Sequence, residues 1–143
     1  MNKKILLIAG LTLIITIFAI SFQTNSEKEN KEIFHVTLAD PQQYENGIYS
    51  STFIIENGDY VFRFVPNGDS PQNLTIKLEG EKYKFSENFQ LNGTLHKTGI
   101  SEYYTWDYDG EKSIKVPFQQ EISIQINPNG NVKGSVSVDI IKN

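Results

Sequence analysis

The chain has 143 residues, of which 38% are hydrophobic and 21% are charged, with 17 acidic side chains, 13 basic side chains and no cysteine. This length predicts one domain, and the absence of cysteine excludes a disulfide scaffold, a thiolate metal site and a cysteine nucleophile. A net charge of -4 argues against nucleic-acid binding, which depends on clustered lysine and arginine side chains.

The first 22 residues differ in composition from the rest of the chain. Lys3 and Lys4 precede an uncharged apolar run at 5–22, and a wholly polar stretch follows at 23–32. This order is typical of a signal peptide or of an uncleaved membrane anchor. Because the run is longer than a usual signal-peptide core and near the length that spans a bilayer, it favours the anchor.

Two locations follow from this segment. The first is the cell membrane, crossed once by residues 5–22 with the C-terminal domain outside, because Lys3 and Lys4 favour a cytoplasmic N-terminus. The second is secretion after cleavage near Ser21, in the small-residue pattern that a signal peptidase needs. The predicted organisation is a signal peptide or transmembrane anchor at 1–22, a polar linker at 23–32 and one domain at 33–143.

From residue 33 onward, apolar side chains recur at every second position, for example in 74–78 and 122–126. This period, in segments rich in β-branched and aromatic residues, is typical of half-buried antiparallel strands. The predicted strands lie near 33–39, 48–55, 59–65, 73–79, 82–86, 89–96, 101–108, 112–118, 121–127 and 134–141.

Asn-Gly and Asp-Gly pairs separate or interrupt these strands, and such pairs supply the positive φ that turns need. They lie at 46–47, 57–58, 67–68, 92–93 and 109–110. The segment 127–131 (NPNGN) predicts a type I turn that closes a hairpin between 121–127 and 133–141. Pro117 cannot donate to a strand ladder, so it is expected at a sheet edge or a bulge.

Many short strands joined by turns predict an all-β fold. We expect a single antiparallel two-sheet β-sandwich, either jelly-roll-like or immunoglobulin-like, preceded by an N-terminal hydrophobic helix.

An aromatic run at 103–108 is the first candidate binding site. In an extended strand, Tyr104, Trp106 and Tyr108 share one face. Three amphipathic rings in a row favour a platform for sugar rings. The same pattern also fits a core-facing strand, because large aromatic side chains are mostly buried and a sandwich commonly buries its only tryptophan.

Asp107, Asp109 and Glu111 are the candidate calcium ligands, since they alternate across a glycine turn. Calcium takes about six to eight oxygen ligands, more than this segment offers. Solvated turn residues are therefore the alternative interpretation. We predict no metal ion and no cofactor.

Catalytic motifs are absent from the sequence: it contains no G-x-S-x-G, no H-E-x-x-H and no P-loop. His35 and His96 are its only histidines, and a copper or zinc site would need at least one more ligand nearby. We therefore expect ordinary, partly exposed histidines and a protein that is not an enzyme.

Two N-x-S/T sequons begin at Asn73 and Asn92. On an exported chain both asparagines are candidates for glycosylation, which would require them to lie at the surface. In a chain rich in asparagine, sequons also occur by chance, so both interpretations stay open.

The segments FRFVPNGDSP (62–71), YYTWDY (103–108) and INPNGN (126–131) resemble those of small uncharacterised exported β-sandwich proteins of archaea. The segment NGDYVFRF (57–64) is similar to the opening of pre-peptidase C-terminal and GOLD-type sandwich modules. The resemblance implies a non-catalytic module for adhesion, cargo contact or substrate binding, and it transfers no functional residue.

The expected function is non-catalytic binding at the cell surface, to an envelope protein or a polysaccharide. The alternative is a structural subunit of an envelope assembly that docks through an exposed edge strand such as Ile114–Phe118. A third hypothesis is a hydrolase or metal enzyme with an unrecognised site, which converging carboxylates or paired histidines would favour.

Overall fold

Alternating apolar residues form nine strands within residues 31–143, the part of the chain that the computed structural model describes. Helix in this part is limited to one 3-10 turn, Pro41–Gln43. The strands are β1 Glu32–Leu38, β2 Tyr49–Ile55, β3 Gly58–Pro66, β4 Asn73–Glu79, β5 Lys84–Lys97, β6 Glu102–Asp109, β7 Ser113–Val116, β8 Gln120–Asn127 and β9 Val136–Lys142.

The strands form two sheets in which every neighbouring pair is antiparallel. One sheet has four strands in the order β1-β9-β3-β7, and the other has five in the order β2-β8-β4-β5-β6. The chain crosses from sheet to sheet at every connection except β4–β5 and β5–β6. The all-β prediction with two antiparallel sheets is therefore confirmed.

The core lies between the sheets, where both contribute their inward-facing side chains. Leu74, Ile76 and Leu78 of β4 are fully buried, as the period-two pattern predicts. Aromatic rings join the two layers: the ring centroids of Phe62 on β3 and Phe89 on β5 lie 5.6 Å apart. This packing makes the fold a β-sandwich.

β5 differs from the sequence prediction, because the segments 82–86 and 89–96 belong to one strand of 14 residues. Phe85, Phe89 and Leu91 keep the same inward period across the predicted break, so the strand has no physical reason to end there. The Asn92-Gly93 pair consequently lies inside β5 and forms no turn.

The predicted hairpin between 121–127 and 133–141 is wrong, because β8 and β9 lie in different sheets. A tight turn is present: the Asn131 amide donates to the Pro128 carbonyl at 3.2 Å. Asn129 and Gly130 have φ of 52° and 98°, as in a type I′ turn. The turn reverses the chain, but β9 pairs with β1 and β3, so the connection is a crossover.

The predictions of a transmembrane helix and of a single-pass membrane location require correction. Residues 31–143 contain no helix that is long and apolar enough to span a membrane. The apolar segment 5–22, the proposed cleavage near Ser21 and the N-terminal hydrophobic helix lie outside the described residues.

Candidate functional site

A hairpin arm extends from the edge of the five-stranded sheet. β4 pairs with β5 only as far as Gln90, whereas the pairing of β5 with β6 continues to Lys97 and Glu102. Residues 92–107, which we call the hairpin arm, are therefore joined to the sandwich at one end only. Ile100 at the tip of the arm is 99% exposed.

One face of the arm carries Leu95, Tyr104 and Trp106, which we call the aromatic face. Tyr104 lies opposite Leu95, and Trp106 lies opposite Gly93. Exposure increases toward the tip, since Trp106 is partly buried against the core while Tyr104 is 55% exposed. The two rings are nearly parallel, with centroids 5.7 Å apart and an interplanar angle of 24°.

Two glycines lie against the indole of Trp106, and one of them, Gly93, provides the space that the ring occupies. A Cβ at Gly93 would lie 2.7 Å from Cζ3 of the indole, and a Cβ at Gly68 would lie 3.6 Å from Cζ2. Gly68 belongs to the β3–β4 loop, so the indole lies between the arm and that loop. Neither contact is visible in the sequence, where both glycines follow asparagine as in a turn.

Tyr108 shares the face of Tyr104 and Trp106 but lies in the core and is fully buried. Its ring centroid is 5.1 Å from that of Phe64, and its hydroxyl donates to the Pro71 carbonyl at 2.6 Å. Burial raises the pKa of the Tyr108 hydroxyl above its ordinary value. Tyr108 therefore cannot contribute to an exposed three-ring platform, and that part of the prediction is corrected.

The opposite face of the arm is polar, with one further aromatic pair. Tyr103 is 52% exposed and stacks on His96 with ring centroids 5.0 Å apart. Nε2 of His96 lies 2.8 Å from the Thr105 hydroxyl. Two tyrosines of similar exposure thus occupy adjacent positions on opposite faces of β6.

The three candidate calcium ligands have separate partners. Asp107 accepts from the Lys112 ammonium at 2.7 Å, Asp109 accepts from the Asn92 amide, and Glu111 accepts from the Ser113 backbone amide at 2.8 Å. Among the residues that the structure describes, they do not form a metal-binding group.

Both sequon asparagines are exposed, Asn73 at the start of β4 and Asn92 on the hairpin arm. Their surface position is the one that glycosylation requires. The modification itself stays a prediction.

The two histidines lie in different sheets, His35 on β1 and His96 on β5, and they share no partner. His35 instead belongs to a group that the sequence analysis missed. Its Nδ1 atom lies 2.5 Å from Oδ1 of Asp139, and Nε of Arg63 donates to Oδ2 of Asp139 at 2.8 Å. Nη2 of Arg63 also donates to Glu32 at 3.2 Å.

Strand register assembles this group, which we call the Asp139 cluster: Glu32, His35, Arg63 and Asp139. His35 and Arg63 both lie opposite Asp139, so the three side chains form a row across β1, β9 and β3. The row is on the outer face of the four-stranded sheet, yet Asp139 is only 1% exposed because its neighbours cover it. The one signal in the sequence is an acidic residue followed by two isoleucines near the end of the chain.

A short segment of the chain is similar to a known protein. No family model matches the chain, and no solved structure matches it. A UPF0538 protein of Dictyostelium discoideum is 40% identical over 47 residues, which are 32% of this chain and 38% of that protein. The chain thus spans less than half of that relative's length, and neither archaeal sandwiches nor pre-peptidase or GOLD modules are found by the comparisons.

Proposed function

We propose that this protein is a non-catalytic binding module that holds a polysaccharide against the aromatic face of its hairpin arm. The observation that carries this proposal is the stacking of Tyr104 on Trp106 along one face of the hairpin arm, where Trp106 packs against the core and Tyr104 lies farther toward the tip. Sugar rings present apolar C–H faces, and these pack on the faces of tyrosine and tryptophan rings. Tyr104, at 55% exposure, offers the part of its ring that the indole does not cover, without any rearrangement of the core.

The loop that contacts the indole carries a polar group suited to the same ligand class. Gly68 brings the β3–β4 loop into contact with Trp106. Asp69, the next residue, is exposed, and its carboxylate accepts from the Ser135 amide at 3.3 Å through Oδ1, so that Oδ2 can accept from a sugar hydroxyl. The amide of Asn67 is instead bound within the fold, where it donates to the Ser135 hydroxyl at 2.9 Å. Since the chain has a net charge of -4, we propose a neutral polysaccharide as the ligand and exclude strongly acidic ones.

The strand order favours a jelly roll over an immunoglobulin-like sandwich. The order β1-β9-β3-β7 facing β2-β8-β4-β5 has the repeated crossing between sheets of a double Greek key, and β6 extends the second sheet at its edge. We infer that the hairpin arm is an addition to an eight-strand jelly roll. Lectin domains use the same architecture, but the fold alone assigns no function.

Binding of soluble neutral polysaccharides by the full-length protein tests the proposal, with native affinity electrophoresis and Trp106 fluorescence as the readouts. We expect Tyr104→Ala to weaken binding about tenfold, equivalent to about 1.4 kcal/mol. Tyr103→Ala is the matched control, because Tyr103 is 52% exposed on the opposite face, and it should bind as the parent does. Equal losses in both variants, or no binding to any neutral polysaccharide, would contradict the proposal.

A second candidate is a structural subunit that docks through an edge strand. The Ile114–Phe118 segment supplies an edge strand as β7, but β7 has four residues and Pro117 follows it. β6 is the longer edge, with eight residues, and Ile100 beside it is 99% exposed. Edges of this kind can pair with a strand of another chain. If β6 docks on another chain, Ile100→Asp should abolish that association and leave polysaccharide binding unchanged.

A further inference from the structure

We propose that Glu32, His35 and Asp139 bind a divalent transition-metal ion on the outer face of the four-stranded sheet, and that this ion is Zn²⁺. One ligand atom from each of these residues lies within 4.8 Å of the others. Imidazole nitrogen and carboxylate oxygen are both zinc ligands, and a set of three protein ligands leaves the fourth position for water. The proposal is independent of polysaccharide binding, since the hairpin arm belongs to the other sheet.

Asp139 is the anchor of this site, because its carboxylate is already buried and oriented. Arg63 Nε donates to Oδ2 at 2.8 Å, which leaves Oδ1 directed at His35. Carboxylates that bind metal ions are themselves held by hydrogen bonds of this kind. Arg63 is therefore a positioning residue that orients Asp139 from outside the ligand set.

His35 needs only a small movement to become a ligand. Its Nδ1 atom is 2.5 Å from Oδ1 of Asp139, whereas two ligands that share a zinc ion at about 2.0–2.2 Å are farther apart. The His35 side chain is 51% exposed, so its ring can rotate outward to admit the ion. Its Nε2 atom faces the Thr37 hydroxyl at 3.4 Å, and that hydroxyl would accept the remaining ring proton.

Glu32 completes the ligand set at the start of β1. In this structure its carboxylate pairs with Nη2 of Arg63 at 3.2 Å, with both side chains about half exposed. Exposed ion pairs contribute little to stability, so replacing the contact of Glu32 with Arg63 by a bond to a metal ion loses little free energy. The two carboxylates supply two negative charges to the divalent ion, and Arg63 keeps one positive charge beside them. The nitrogen ligand and the small number of ligands disfavour calcium.

Calorimetric titration of the full-length, metal-free protein with ZnCl₂ tests this site, together with the Zn²⁺-dependent shift in Tm. We expect one equivalent to bind and to raise Tm, whereas CaCl₂ has no effect. Glu32→Gln keeps the size of the side chain but removes its charge, and it should weaken Zn²⁺ binding at least tenfold. We expect the same loss for His35→Ala. His96→Ala removes the only other histidine and should bind Zn²⁺ as the parent does. No stoichiometric binding, or equal losses in the His35 and His96 variants, would overturn the proposal.

Discussion

The indole ring of Trp106 covers Gly93, its direct partner in the pairing of β5 with β6. A Cβ at position 93 would lie 2.7 Å from the indole Cζ3, closer than two carbon atoms pack. Glycine is required here because the ring lies against the backbone of the neighbouring strand. The position of Trp106, and with it the aromatic face, therefore depends on residue 93 being a glycine.

Gly93→Ala should therefore displace the indole of Trp106. Because Trp106 is the only tryptophan, its fluorescence reports the movement directly. We expect a red shift, stronger quenching by acrylamide, and a loss of about 1–3 kcal/mol in the free energy of unfolding from overpacking. Gly99→Ala is the control, since a Cβ there meets nothing within 4 Å. An unchanged emission spectrum in Gly93→Ala would show that the ring does not lie on residue 93.

Local patterns in the sequence predict most of the fold. The period of two gives the inward faces of strands such as 74–78 and 122–126, because it follows from strand geometry alone. The pairing of strands is a non-local property, so the turn at 128–131 could not show that β9 joins the other sheet.

The candidate sites were only partly predictable for the same reason. Alternation places Tyr104, Trp106 and Tyr108 on one face, but their exposure depends on how far β6 extends beyond the facing sheet, whose Phe64 packs on Tyr108. The Asp139 cluster joins residues that are more than 70 positions apart, Arg63 and Asp139. Only the register of β1, β9 and β3 brings its members together.

Arg63 should contribute to stability by compensating the buried charge of Asp139. Arg63→Met keeps the aliphatic stem but removes the donor at 2.8 Å, so the Asp139 carboxylate loses one of its two partners. We expect a loss of about 1–3 kcal/mol, measured by chemical denaturation at neutral pH with a chelator present.

The control for this change is Lys84→Met. Lys84 pairs with Glu79 at 3.9 Å on the open surface, where an ion pair contributes about 0–1 kcal/mol. Equal effects of the two substitutions would mean that the Asp139 carboxylate does not depend on Arg63.

Four tyrosines should make the free energy of unfolding depend on pH in the alkaline range. Burial is the largest cause of a raised pKa for Tyr44, Tyr60, Tyr83 and Tyr108, above the ordinary value of 10.0. Above that value the unfolded chain releases these protons, whereas the native protein retains them. The native state then binds more protons than the unfolded state, so the free energy of unfolding falls as pH rises.

Tyr108 should provide the largest share of this alkaline sensitivity, because its pKa is raised most and Tyr44 adds to the effect of burial. We expect Tyr108→Phe to lose about 1 kcal/mol near neutral pH, where the hydrogen bond to the Pro71 carbonyl is removed. Between about pH 9 and about pH 11 its free energy of unfolding should then fall less steeply than that of the parent. Denaturant titrations at several pH values measure both effects. Tyr103→Phe, altered at an exposed ring, should keep the parental slope, and a parental slope in Tyr108→Phe would contradict this assignment.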